Sequence, residues 1–70
     1  MIITVFKTSI EEKDLRNLEN ILIKISGIRR WSTDLEDCDN VLRVESDKDL
    51  SNEIIVILTN EGFKIEELED

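Results

Sequence analysis

The sequence predicts an α+β fold, a four-stranded antiparallel sheet with two helices on one face. Three observations carry this expectation. Two stretches place apolar residues at helical spacing, Leu15, Leu18, Leu22 and Ile25 in one and Leu50, Ile54, Ile57 and Leu58 in the other. Around and between them lie short runs rich in β-branched and aromatic residues, which suit strands. The resulting order is strand, helix, strand, strand, helix, strand. The two middle strands are too close in sequence for a crossover, so they pair as an antiparallel hairpin.

Ile2 to Lys7 is the first strand. Ile3 and Val5 fall on one face and Ile2 and Phe6 on the other, so both faces are apolar, as in a central strand. The stretch from Ser9 to Ile28 holds the first helix and is the clearest secondary-structure signal in the chain, with Ile21 beside the apolar stripe. Ser9 followed three residues later by Glu12 reads as a capping box. Glu11, Glu12 and Asp14 bring negative charge to the first turn, where the helix dipole favours it. Gly27 can take the left-handed conformation that stops a helix.

Ile28 to Glu36 is the second strand, with Trp31, Thr33 and Leu35 on a buried face and Arg30, Ser32 and Asp34 on a wet one. Asp37-Cys38-Asp39-Asn40 is polar turn material. Val41 to Glu45 is the third strand, with Leu42 and Val44 sharing a face. Ser46 to Glu61 is the second helix, in which Ser46, Asp47, Asp49 and Ser51 all offer caps and Gly62 offers a stop. Ile54-Ile55-Val56-Ile57-Leu58 alone has the composition of a buried strand, but the whole segment is long enough for three helical turns. Gly62 to Leu68 is the last strand, with Phe63 and Ile65 facing in. Glu66, Glu67, Glu69 and Asp70 form a charged end that is expected to fray. Packing both helices on one side of this sheet gives the ferredoxin-like β-α-β-β-α-β arrangement, which hosts many functions and settles none.

The chain has 70 residues, one domain spanning 1–70, and 40% of them are hydrophobic, enough for a core. A chain this short buries only about 60% of its unfolded surface, so modest stability is expected. The net charge of −8 argues against nucleic-acid phosphates and favours a basic partner. The single cysteine, Cys38, permits no internal disulfide and fits a reducing, cytoplasmic setting. The apolar start at Met1 to Ile3 has no basic segment before it, so no signal peptide is expected, and no segment approaches transmembrane length. The absence of histidine excludes His-based catalysis and His ligation. No nucleophile stands with a base and there is no phosphate loop, so neither enzymatic activity nor a cofactor is expected.

Several segments in order give the chain a family resemblance. They are the first strand running into Lys7-Thr8, Gly27-Ile28 after the first helix, and Trp31-Ser32-Thr33-Asp34-Leu35-Glu36-Asp37 on the second strand. They continue in Val41-Leu42-Arg43-Val44-Glu45 and in Glu61-Gly62-Phe63-Lys64. In these the chain resembles a heavy-metal-associated domain, as in small copper chaperones and the N-terminal modules of heavy-metal ATPases, over nearly all its residues. The family's C-x-x-C motif at the start of helix one grips soft ions through two thiolates. This chain has no cysteine there, so the resemblance implies a degenerate member. Counting back from Gly27 places the two ligand positions at Glu11 and Asp14. Counting forward from Lys7-Thr8 places them at Glu12 and Leu15, and both registers stay open.

Each candidate site has a plainer reading beside it. Glu11, Glu12 and Asp14 have the chemistry to hold a hard cation through oxygen, but charge and capping at a helix start account for them. Asp34, Glu36, Asp37 and Asp39 resemble calcium-binding composition, but they do not follow the EF-hand spacing and read as a solvated turn. Cys38 lies between the acidic Asp37 and Asp39, a setting that dulls a thiol, so it reads as an incidental surface thiol. Trp31 reads as core rather than as a binding anchor, and Arg29 and Arg30 as solvated charge rather than as contacts for an acidic partner. If Ile2 and Val41 share the outer sheet face, they form a small apolar patch able to meet a second molecule. The function expected from all this is a non-enzymatic interaction module acting on a protein partner or as a homodimer. The alternatives are metal binding through the carboxylates of Glu11, Glu12 and Asp14, or a dimeric small-ligand regulatory domain resembling the ACT type. RNA binding through this topology is disfavoured, because the chain is acidic and lacks the aromatic strand motif.

Overall fold

The structure is a computed structural model that describes residues 1–36 and 38–68. Its elements are β1 (Ile2–Thr8), α1 (Leu15–Leu22), β2 (Ile28–Asp34), β3 (Val41–Ser46), α2 (Ser51–Asn60) and β4 (Ile65–Leu68), with a 3-10 turn at Glu12–Asp14 leading into α1. The four strands form one sheet in the order β2-β3-β1-β4, and every neighbouring pair is antiparallel. The expected ferredoxin-like arrangement is therefore the observed one. β1 is central, paired on one side with β3 and on the other with β4.

The core lies between the sheet and the helices. Phe6, Leu42 and Val44 rise from the sheet to meet Leu18, Leu22 and Ile25 from the first helical segment, Leu50 just before α2, and Ile54 and Leu58 from α2. These are the stripes the periodicity predicts, with Ile21 and Ile57 half-buried at their margin. The β-branched run from Ile54 to Leu58 is helical because only helical spacing sends both Ile54 and Leu58 into the core while Val56 stays 58% exposed. Trp31 packs half-buried against the core rather than inside it, as expected of an edge strand.

Several boundaries differ from the sequence reading, each for a local reason. α1 ends at Leu22, five residues before Gly27. Beyond it the Lys24 and Ile25 amides donate to the Ile21 and Leu22 carbonyls, a tightening to three-residue turns. Ile21, Ile23 and Ile25 are β-branched and weaken the helix there. Gly27 keeps its expected conformation, φ +101°, but uses it to turn the chain into β2. A register shift between Ile28 and Arg30 marks a bulge at the start of β2, and the strand ends at Asp34 rather than Glu36.

Helix two begins at Ser51, not Ser46. Ser46 extends β3, is buried, and donates its hydroxyl to the Lys48 carbonyl at 2.7 Å. Among the four residues offered as caps, Asp49 is the one that bonds the helix start, from the position before the N-cap Leu50. Its Oδ1 accepts from the Ser51 amide at 3.0 Å and from the Ser51 hydroxyl at 2.7 Å. These two bonds hold the Asp49 carboxyl below its ordinary pKa. The far end of α2 closes with a Schellman motif: the Phe63 amide donates to the Leu58 carbonyl and the Gly62 amide to the Thr59 carbonyl, with Gly62 at φ +96°. β4 is then limited to Ile65–Leu68.

Candidate functional site

The expected site is the loop between β1 and α1, and its anchors come from three places in the chain. Ile10 is fully buried and fixes the loop to the core. The Ile10 amide donates to Thr8 Oγ1 at 3.1 Å, and Thr8 Oγ1 in turn donates to the Asn40 carbonyl at 2.6 Å. Asn40 Nδ2 returns a bond to the Ile10 carbonyl at 2.7 Å, and the Thr8 amide donates to the Asp39 carbonyl at 3.0 Å. The loop is thus tied to the β2–β3 turn by three hydrogen bonds, while the Ile10 amide to Thr8 Oγ1 bond closes the loop on itself. Asn40 sits at φ +46°, a left-handed conformation that asparagine tolerates better than most residues. Sequence reasoning treats Asn40 only as turn material and gives Thr8 and Ile10 no role. The available signal is an asparagine closing a turn, where left-handed backbone is common.

Ser9 is not the helix cap. Its amide donates to the Lys64 carbonyl at 3.0 Å, and its Oγ accepts from the Lys64 amide at 2.9 Å, so it is taken up by the segment before β4. With Ser9 engaged, the turn starts two residues later. Asp14 Oδ2 accepts from the Glu11 amide at 2.9 Å, and the Asp14 amide donates to the Glu11 carbonyl at 2.9 Å. The capping relation is therefore Glu11 with Asp14, not Ser9 with Glu12. Glu11 also lies 3.9 Å from the Lys13 ammonium, a long contact between exposed groups that adds little.

The other candidates lie apart from this loop or at its rim. Asp39 is in ion-pair range of Lys7, at 3.6 Å. Cys38 is exposed. Arg29 pairs with Asp47 at 2.7 Å and Arg30 with Glu45 at 3.6 Å, so both arginines have carboxylate neighbours within the chain. Asp34 and Glu36 are exposed, while Asp37, with Glu69 and Asp70, lies outside the described residues. Among the described residues no three Cys, Asp or Glu side chains converge in a way that could hold a metal ion. No helix among them is long and apolar enough to cross a membrane.

The patch expected from Ile2 and Val41 is composed differently. Ile2 is on the same face as Thr4 and Phe6, toward the helices, whereas Val41 lies opposite Lys7 on the outer face. The strand alternation of side chains decides this: Ile2 and Ile3 cannot share a face, and Ile3 takes the outer one. The apolar residues of that face are Ile3, Val5, Val41 and Leu68.

No protein-family model matches the chain, and no curated protein matches it in sequence. In structure it is similar to the N-terminal domain of ZntA, solved in an apo-form and in a Zn(II)-form. The TM-scores are 0.80 and 0.79, at 17% identity, over 96% of this chain and 92% of that domain. The likeness extends over the whole four-stranded sheet and both helices, and at this identity it is a likeness of fold.

Proposed function

We infer that the chain is a non-enzymatic interaction module with the fold of heavy-metal-associated domains, in which the loop between β1 and α1 braces the fold instead of holding a soft metal. One observation carries the reading. The chain resembles a metal-binding family and shares its fold with a domain solved with Zn(II), yet the loop has no cysteine and the chain no histidine. Cu(I) needs soft ligands and Zn(II) binds most tightly through thiolate and imidazole, which leaves only carboxylates here. Of those, Asp14 already commits Oδ2 to the Glu11 amide, so a cation at Glu11 and Asp14 has to share that carboxylate. The partner is a protein with a basic face, which the net charge of −8 favours, or a second copy of the chain.

The test is a Cu(I) and Zn(II) competition assay against a chromophoric chelator, in reductant, on a Cys38→Ser variant that removes the one thiol. The expected result is no withdrawal of metal from the chelator. Affinity comparable with C-x-x-C proteins refutes the reading. Calorimetric heat with Ca, Mg or Mn that disappears in Glu11→Gln/Asp14→Asn establishes the carboxylate alternative in its place.

A further inference from the structure

We propose that the outer face of the sheet is a homodimer interface, occupied by a second copy of this chain. The proposal rests on the interaction-module reading and specifies its partner. A two-layer fold leaves one sheet face uncovered, and the strand registers define what that face presents. Arg30, Glu45 and Ile3 form one row across β2, β3 and β1. Ser32, Arg43, Val5 and Leu68 form the next, and Asp34, Val41, Lys7 and Glu66 the third.

Two features of this grid point to self-association. Its apolar residues are contiguous: Val5 stands directly opposite Leu68, with Ile3, 50% exposed, two residues along the same strand. Its charges also cancel. Arg30, Arg43 and Lys7 are balanced by Glu45, Asp34 and Glu66, so the whole net charge of −8 lies on residues outside the grid. Two copies meeting elsewhere meet through the part of the chain that carries the whole excess of negative charge. Two copies meeting here bring three cations and three anions each, in a pattern that can pair across the interface. A strongly basic partner finds no excess of negative charge on this face, so charge complementarity favours a second copy over such a protein.

The area sets the strength. Four strands about 4.8 Å apart, each about 20 Å long, give roughly 400 Å² per copy and about 800 Å² in all, below the ~1,200 Å² where stable interfaces begin. The dimer is therefore weak and transient.

The experiment is sedimentation from about 10 µM to 1 mM of the Cys38→Ser chain in chelator, which keeps disulfides and metals out of the result. The expected outcome is a mass-average that climbs from monomer toward dimer. Ile3→Glu and Arg43→Glu, each confirmed as folded by circular dichroism, should each weaken association at least tenfold. Ile23→Glu, a change at a residue that is 77% exposed after α1, should leave it unchanged. A chain monomeric at 1 mM overturns the proposal while leaving the metal-free interaction reading standing. Association lost in Ile23→Glu and kept in Ile3→Glu also overturns it, by moving the interface to the helical layer. Metal uptake in the competition assay refutes the functional reading, whatever the sedimentation shows.

Discussion

Asn40 makes the most specific claim that the structure allows about the β1–α1 loop, and replacing it separates two effects. Its side chain donates to the part-buried Ile10 carbonyl, and its backbone holds φ +46°. Asn40→Ala removes the donor, leaving a carbonyl short of a partner at about 1–2 kcal/mol, and puts a Cβ-bearing residue without a local hydrogen bond in the left-handed region at about 1 kcal/mol more. Asn40→Gly removes the same donor but relaxes the backbone. The expected costs are therefore about 2–3 kcal/mol for alanine and about 1–2 for glycine. For a 70-residue domain whose whole stability is roughly 4–10 kcal/mol, the alanine change is a large fraction, worth about 10–20 °C in Tm. Urea unfolding followed by circular dichroism measures both, and amide shifts in the folded variants should centre on Thr8 to Asp14. Equal costs for the two variants refute the backbone assignment. A cost under about 0.5 kcal/mol in both refutes the idea that the hairpin turn braces the loop.

Further outcomes follow from other parts of the fold. Leu18→Ala, at a fully buried position facing the sheet, should cost about 2–5 kcal/mol and leave little folded protein on heating, as thermal melts would show. Gly62→Ala should cost about 1 kcal/mol through backbone strain alone, because a Cβ there meets nothing within 4 Å. Chemical denaturation that finds it neutral contradicts the Schellman ending of α2. Asp49 has a folded-state pKa below its unfolded value near 3.9, so its stabilisation is complete above that pH and is lost as pH falls through the lower, folded value. Asp49→Asn should flatten that part of the acid-unfolding curve, and an unchanged curve argues against the cap. Glu11→Cys/Asp14→Cys should gain Zn(II) uptake by chelator competition. Glu12→Cys/Leu15→Cys should gain less, because Leu15 packs against the core.

What the sequence discloses here follows from which interactions are local. Leu18 and Leu22, or Ile54 and Leu58, announce their buried faces because helical spacing repeats within a few residues. The β2–β3 pairing is legible because their short connection leaves no room for a crossover. Boundaries set by tertiary competition are not legible. Ser9 has the composition of a cap but bonds to Lys64, which is 55 residues away. Ser46 has the same composition and is drawn into β3. The loop itself was visible as a site only through the family resemblance, and Asn40, whose side chain reaches Ile10 across 30 residues, gives no local sign of that role. The outer face is only half legible. Val41 belongs to it, but the alternation of β1 puts Ile3 there in place of Ile2.

The most direct measurement of the central claim is an amide-resolved NMR titration of the chain with Cu(I) and with Zn(II) under reducing conditions, beside a Cys38→Ser control. The account predicts no saturable shifts between Thr8 and Leu15, and any shifts near Cys38 should vanish in the control. Saturable shifts confined to Thr8–Leu15 and retained in the control contradict it, because the loop then binds metal through its carboxylates or backbone.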